Sequence, residues 1–531
     1  MIVRALLGRL GPQQLISLAR RAAPDREFLV CDGRRLTRRE VFAQVEALAA
    51  GLAALGIGKG DCVATLLPAC PEAVLALFLP WVLGTVEVPL NPLLREHELR
   101  HILADCSARA IITTRSWAGH DYLGLLARIR ADTPALQHII VREPGDPGAP
   151  GALSLPRLLA DASGRPRVRL RPGEPGRISY TSGTTGLPKG VVHAREGYWG
   201  LAHQSASSRL DLSVLRCLLL PFPPYHYAGW LGVMSAFLSG GRVVLTERFS
   251  PQRMLELIEE ERVSQIGASP TMYRLLLNTP GQERYDLSSV RRLTLGAEPC
   301  PPDLVRALHE RFGCHIESFY GMTEGGIISW TGEGDPWEVA ATTVGRPAPG
   351  VKVQVVGEAG EPLPRGAIGE VLVQSSQMML GYHRDPALTA QALDGEGWLH
   401  TGDVGYVGED GYLRLVDRKK DVVIRGGQNV YPAEVEHYLC EHPSIAQAAV
   451  VGIPSAVCGE RLWAFVVPAA GARVTVREVL EYCRGGVAPF KVPEVVRIVD
   501  SLPVTATGKV QKYRLREMVV TEERHGRADD L

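Results

Sequence analysis

The 531-residue chain has no Cys-x-x-Cys pair, no excess of either charge and no apolar run long enough to span a bilayer. Each shortage excludes something. The ten cysteines (Cys31, Cys62, Cys70, Cys106, Cys217, Cys300, Cys314, Cys440, Cys458 and Cys483) are scattered, and none stands beside a histidine at zinc-finger spacing. That argues against a zinc module and a disulfide scaffold, and predicts reduced, mostly buried thiols of a cytosolic protein. Lys plus Arg and Asp plus Glu each number 58, so the formal net charge is zero. Bulk electrostatic attraction to nucleic acid or to an anionic membrane is therefore disfavoured. The uncharged run "AVLALFLPWVLGTV" (Ala73–Val86) falls short of the roughly 20 residues a membrane helix needs, and Pro80 interrupts it. A buried helix is expected there. The arginine-bearing opening, without an acid before Asp25, mildly suggests a transit peptide, but Gly11-Pro12 breaks its pattern and a surface helix is expected.

What is present is an ordinary apolar content, 45%, over a length that implies several domains or subdomains. Val41, Phe42, Val45, Leu48, Ala49 and Leu52 recur at helical spacing. "CVATLL" (Cys62–Leu67) then reads as a buried strand, and a helix is expected from Pro71. The alternation continues through "ARAIITT" (Ala108–Thr114), "LQHIIV" (Leu136–Val141), "GGRVVLTE" (Gly240–Glu247), "VSQIGASP" (Val263–Pro270) and "RRLTLGAEP" (Arg291–Pro299). It predicts an α/β protein with largely parallel sheets. From Val351 to Gln374 the pattern changes to period two around Gly/Pro turns, as in a small antiparallel, barrel-like subdomain. Gly411–Gly427 is expected as a hairpin-like charged segment. Beyond it a helix from Pro432, a strand Ala448–Ile453 and a last helix near Val476–Cys483 are expected. The boundary is expected near Lys420, between a large domain (1–419) of two α/β subdomains plus the barrel-like one, and a small α+β domain (420–531).

One stretch is too polar for a core: "SYTSGTTGLPKGVVH", Ser179–His193. Its small residues let backbone N–H groups approach a guest closely. Thr181, Ser182, Thr184 and Thr185 add hydroxyl donors, and Lys189 adds charge. Phosphates fit such a loop, expected at a strand-to-helix bend. It is not the P-loop of kinases and GTPases, because Pro188 stands where that motif needs its second glycine.

Four further motifs come in order: "FYGMTEGG" (Phe319–Gly326), "LHTGDVG" (Leu399–Gly405), "VDRKKDVVIRGGQNVYPAEVE" (Val416–Glu436) and "LPVTATGKVQK" (Leu502–Lys512). With "YTSGTTGLPKG" they resemble the AMP-forming adenylating superfamily over nearly the whole chain. That superfamily contains acyl- and aryl-CoA synthetases, aryl-acid adenylating enzymes, peptide-synthetase adenylation domains and luciferases. Asp121–Val141 is similar to the equivalent region of cyclohexanecarboxylate–CoA ligases and of aryl adenylating enzymes.

The resemblance implies two half-reactions. A carboxylate attacks the α-phosphorus of ATP to give an acyl-adenylate, and a thiol then displaces AMP. Such an attack brings anion to polyanion, so Mg²⁺ and cationic donors are needed. By the same resemblance Thr181, Ser182, Gly183, Thr184, Thr185 and Lys189 cradle the ATP phosphates. Thr323 reaches the α-phosphate and Glu324 is the Mg²⁺ ligand. Tyr320 stacks on adenine, with Ala297 and Glu298 of "GAEP" over the other face. Asp403 and Arg418 hold the ribose. Lys509 and Thr184 act in adenylation, and Lys420 is the hinge on which the mobile C-terminal domain turns. Gly426 and Gly427 line a thiol tunnel for coenzyme A, and His226 gates it.

Pro221–Gly240 contains no charged residue, so no aspartate waits there for an amino-acid ammonium. His226, Tyr227, Trp230 and Gly325 would line a pocket for a compact apolar acid: aryl, alicyclic, or short to medium chain. Tyr227 replaces the asparagine that faces a ring hydroxyl in siderophore enzymes, which disfavours a 2-hydroxybenzoate. The expected activity is a cytoplasmic acyl-CoA synthetase. The alternative is an adenylating enzyme that loads the phosphopantetheine of an acyl carrier protein. No nucleic acid and no membrane insertion are expected.

If Lys509 serves adenylation alone, Lys509→Ala should slow pyrophosphate release far more than thioester formation from preformed acyl-adenylate. Single-turnover assays of the two steps check this, and equal slowing of both would remove the assignment.

Overall fold

Neighbouring residues in a buried strand face opposite ways, and this regularity organises most of the chain. The computed structural model describes residues 12–21, 23–164, 166–182, 188–197, 216–296, 298, 300–425, 428–455, 459–504 and 510–524. It divides into two compact units, Met1–Lys352 with Val373–Leu399, and Val353–Leu372 with His400–Leu531.

The first unit is built on two sheets. In the nine-stranded sheet the strands Glu27–Cys31, Arg242–Leu245, Cys217–Leu219, Gln265–Ala268, Arg292–Leu295 and His315–Met322 lie side by side in parallel. In the eight-stranded sheet the parallel set is Pro175–Ser182, Val86–Leu90, Cys62–Leu66, Ala110–Thr113, His138–Val141 and Ala152–Ser154. Leu29 and Val243 join one apolar cluster while their neighbours Val30 and Val244 join another. Val63, Ile112 and Ile140 of the second sheet belong to the first cluster, and Ala64, Ile111 and Ile139 to a third. The shared cluster is filled by helices Arg38–Ala54, Pro71–Ala76 and Tyr227–Ser239. Helices thus pack between the sheets and on both outer faces, as expected for an α/β chain.

The helix Arg38–Ala54 starts where the Thr37 side chain caps the Glu40 amide and Glu40 caps Thr37 in return. The run Ala73–Val86 is not one helix. It breaks into Pro71–Ala76, Leu79–Val82 and the start of the strand Val86–Leu90. Pro80 has no N–H for an interior helical bond, so it sits in the first turn of a new helix. The opening segment is helical over Pro12–Arg21.

In the second unit, one sheet runs in the order Lys352–Val356, Gly369–Gln374, Leu399–Val407, Leu413–Arg418. It contains the period-two segment expected as barrel-like. A five-stranded sheet holds Val423–Arg425, Gln428–Val430, Ile445–Ser455, Gly459–Pro468 and Val495–Ile498. The segment expected as a hairpin is none: Leu413–Arg418 pairs with Leu399–Val407, whereas Val423–Arg425 pairs with Gln428–Val430 and Gly459–Pro468. Lys420 lies in the turn that carries the chain from one sheet to the other. Helix Val476–Gly486 is not the last one either, since Lys512–Arg524 comes after it. Among the described side chains of that charged helix only Leu515 and Val519 are buried in the core, a stripe too narrow to read in sequence.

Phe28, Phe42, Phe78 and Phe237 pack with ring centroids 5.1–5.5 Å apart. The buried Arg38 guanidinium lies 5.0 Å from the Phe237 centroid and donates to the Phe237 carbonyl at 2.9 Å. Phe237→Ala should cost about 3–5 kcal/mol, because the ring meets both sheets' core and its cavity cannot collapse freely. Equilibrium urea unfolding checks this; a loss below about 1 kcal/mol would place the ring's weight elsewhere.

Candidate functional site

The polar stretch is held by a hairpin, not by a strand-to-helix bend. Pro175–Ser182 and Pro188–Ala194 pair antiparallel, with Thr181 opposite Lys189 and Ser182 opposite Pro188. Among the described residues flanking this loop the cation is Lys189. Gly183, Thr184 and Thr185 lie outside the described residues, as do Ala297, Gly426, Gly427 and Lys509. Thr181 Oγ1 is enclosed with no partner among the described residues.

A second hairpin meets the first. His315–Met322 and Gly326–Trp330 pair with Met322 opposite Gly326, so Thr323, Glu324 and Gly325 form the turn. His193, fully buried on the first hairpin, donates from Nε2 to the Thr323 carbonyl at 2.7 Å. Lys189 Nζ lies 3.5 Å from Glu324 Oε1 and donates to the Tyr382 hydroxyl at 2.7 Å. Tyr382 in turn donates to Glu324 Oε1 at 3.0 Å. Burial, then the Glu324 carboxylate, pushes the Tyr382 phenol well above its usual range. The strand Gly381–Tyr382 pairs with Pro188–Ala194, and Met379 N–H donates to the Glu324 carbonyl at 2.8 Å. Gly381 has φ +147°, and a Cβ there would stand 2.8 Å from the Thr389 side chain, so glycine is required. Tyr382 and His193 carried no sequence expectation. Both emerge only once two sheets bring their turns together.

Among the described residues no three His, Cys, Asp or Glu side chains cluster as a metal cage. Mg²⁺ does not require one, because it is bound by one or two carboxylates together with substrate phosphates and water. Glu324 is 7% exposed and faces Lys189, whose cross-strand neighbour Thr181 carries an enclosed hydroxyl with no partner among the described residues. Those residues fit that kind of site.

Tyr320 is buried on the strand His315–Met322. Glu298 accepts from the Thr271 hydroxyl at 2.7 Å and the Thr271 amide at 3.3 Å, at the start of helix Pro270–Leu277. Gly325 leaves room for Leu399, whose Cδ2 would be 3.0 Å from an added Cβ.

The uncharged segment forms a turn against the helix Tyr227–Ser239. Gly229 permits it, since a Cβ there would lie 2.0 Å from the Pro223 carbonyl oxygen. His226 caps the helix, and its Nδ1 accepts from the Ala228 amide at 3.2 Å. The ring proton is thereby assigned to Nε2. Burial, aided by the Arg177 charge, lowers the His226 pKa to about 4. Such a ring stays neutral at physiological pH, with its Nε2–H able to donate. Trp230 is fully buried, stacked between Tyr227 and Trp81 at 6.4 and 6.3 Å.

In the second unit, Asp403 and Arg418 are direct cross-strand neighbours. Arg418 Nε donates to Asp403 Oδ1 at 2.5 Å, and the Asp403 amide donates to the Thr401 hydroxyl. Asp403 is 4% exposed. An ionised carboxylate accepts at both oxygens, which is the chemistry a ribose diol needs. Lys420 is followed by Asp421, which accepts from Arg516 at 2.9 Å.

The family model described as "AMP-binding enzyme" matches residues 18–383, and "AMP-binding enzyme C-terminal domain" matches residues 434–509. The chain is 34% identical to the medium-chain fatty-acid–CoA ligase of Escherichia coli (strain K12), covering 94% of this chain and 89% of that one. It is 36% identical to the feruloyl-CoA synthase of Amycolatopsis sp, covering 91% and 94%. Among solved structures, the anthranilate CoA ligase AuaEII in complex with anthranoyl-AMP superposes with TM-score 0.89 at 28% identity, covering 97% and 98%.

His193 is neutral in the fold, its pKa lowered to about 3 by burial. An unfolded imidazole titrates near 6.5, so between those values only the unfolded chain takes up the proton. Stability should fall as pH drops below about 6.5, by at most roughly 1.4 kcal/mol per pH unit for this ring. His193→Gln should flatten the slope between pH 6.5 and 5 in urea unfolding, and an unchanged slope would contradict the assignment.

Proposed function

The chain belongs to the AMP-binding enzyme family, and from that premise we propose that it is an ATP-dependent, AMP-forming carboxylate–CoA ligase acting through an acyl-adenylate. The observation that carries this reading is the Lys189–Tyr382–Glu324 chain of contacts joining the tips of two hairpins. It sets a cation beside a carboxylate at the mouth of a hydroxyl-rich loop. A triphosphate would displace Tyr382 as the partner of Lys189. Glu324, with the phosphates, would hold Mg²⁺, which when bound neutralises the anion that an incoming carboxylate must approach. Thr181 would donate to a phosphate oxygen. His193 would keep the Thr323 backbone, and with it Glu324, in place while this happens.

Ser182, Gly183, Thr184 and Thr185 complete the phosphate cradle in this reading. Tyr320 with Ala297 and Glu298 takes the adenine, and Asp403 with Arg418 takes the ribose. Residues 420–531 form the mobile domain, turning at Lys420. They bring Lys509 to the first half-reaction, and Gly426 and Gly427 to the thiol in the second. The passage of the chain between two sheets at Lys420 supports that hinge.

The acid is compact and apolar. The charge-free Pro221–Gly240 and the Tyr227–Trp230 stack support this, as do relatives named for medium-chain, feruloyl and anthranilate substrates. His226, a fixed Nε2–H donor, would face the substrate or the thiol path. The free thiols support a reducing compartment such as the cytoplasm.

Incubation with ATP, Mg²⁺ and a panel of aryl, alicyclic and medium-chain acids, with and without CoA, tests the reading. Acid-dependent pyrophosphate release and a CoA thioester are expected. Pyrophosphate without thioester, rescued by a carrier protein, would transfer the acceptor role to a protein-bound phosphopantetheine. No pyrophosphate from any acid would overturn adenylation.

A further inference from the structure

Two buried, oppositely charged side chains lie behind the site. Arg177 stands on the first strand of the phosphate hairpin, four positions before Thr181. Its cross-strand neighbour in the parallel ladder is Glu87. Both side chains are 3% exposed, and Arg177 Nη1 donates to Glu87 Oε2 at 3.0 Å. The adjoining cavity, lined by Trp81, Glu87, Arg177, Arg195 and Trp230 among others, offers only ≈ 10 Å³ to water. That is room for about one water beside the two charges. Glu87 Oε1 is buried with no partner among the described residues, and burial pushes its carboxyl above the ordinary range despite Arg177. A buried pair of this kind is a poor way to gain stability, because two apolar residues of similar volume commonly do as well. Something other than stability accounts better for the geometry.

The remaining arms of the guanidinium show what that is. Nε donates to Ser179 Oγ at 3.0 Å, on the same strand. Nη2 donates to the carbonyl of Tyr225 at 2.9 Å. Tyr225 immediately precedes His226, the helix cap at the acyl pocket. The planar fork thus spans from the phosphate hairpin to the backbone of the acyl-pocket turn.

We propose that Arg177 is a positioning residue for the carboxylic acid, tying the turn that presents His226 to the hairpin that presents Thr181 and Lys189, with Glu87 as the buried counter-charge that permits it. The proposal rests on the adenylating reading above. Through this tether the acid pocket and the phosphate cradle share one rigid strand. An acid held by the turn is then in register with a nucleotide held by the hairpin, which is the alignment an attack on the α-phosphorus requires.

The test uses E87L/R177M, which removes both charges at similar volume, and R177K, which keeps the ion pair but loses the fork. In acid-dependent pyrophosphate release, the KM for the acid should rise about tenfold in E87L/R177M, the worth of one charge-assisted hydrogen bond. The KM for ATP should stay within about twofold. R177K should show the same split. Equal rises in both KM values, or no rise for the acid in a folded variant, would overturn the proposal. If E87L/R177M does not fold, R177K decides; an R177K chain that also fails to fold would overturn the separation of charge from tether. Imidazole ¹⁵N spectra give a second readout that needs no turnover. The native chain should show His226 as the single Nε2–H tautomer, and both variants a mixture. An unchanged tautomer in both would overturn the tether even if the native chain released no pyrophosphate, an outcome that would sink the adenylating reading on its own.

Discussion

A cation facing a carboxylate across two turns, with a phenol between them, is the constraint on which the site depends. Lys189 and Glu324 lie far apart in sequence and belong to different sheets. They satisfy each other through Tyr382. A surface pair of this kind contributes little to stability. Here Glu324 is buried and Lys189 is partly covered, so the pair is held in place by its surroundings. In the function proposed here, a polyanion with its metal would replace each partner by a stronger one on binding.

The scaffold makes such a meeting possible because it has two sheets sharing one helical layer. Alternate residues of each strand look inward to that layer and outward to separate covers. Both sheets are therefore locked in register by burial, and a one-residue slip would expose every strand. Turns growing from the two sheets are consequently fixed in space to the precision of the core. His193 is the local agent of this order. It is buried and neutral, and it pins the turn of one sheet to the hairpin of the other.

Behind the turns, the Arg177–Glu87 pair carries the same logic inward. It occupies a place where apolar residues would suffice for packing, and it makes contacts that apolar residues could not make. The turn before helix Tyr227–Ser239 has its own local determinants as well: Gly229 for close approach, His226 for the cap and Phe222 stacked on that imidazole at 5.5 Å.

Sequence alone determined the α/β class, the presence of strands within Cys62–Leu67, Gly240–Glu247 and Arg291–Pro299, and the family, because strand periodicity and short motifs are local and survive in one dimension. It misjudged Ala73–Val86, where composition reported burial but Pro80 decided the break, and Gly411–Gly427, where two strands adjacent in sequence belong to different sheets. It placed the polar stretch Ser179–His193 on a strand-to-helix bend because glycine, serine and threonine mark a turn whichever element comes next. Only the tertiary structure made it a hairpin, chose Tyr382 and His193 as partners of the motif residues, and set Arg177 against Glu87. Those pairings depend on which strands lie side by side, and that is fixed by burial over the whole unit and not by any stretch of chain.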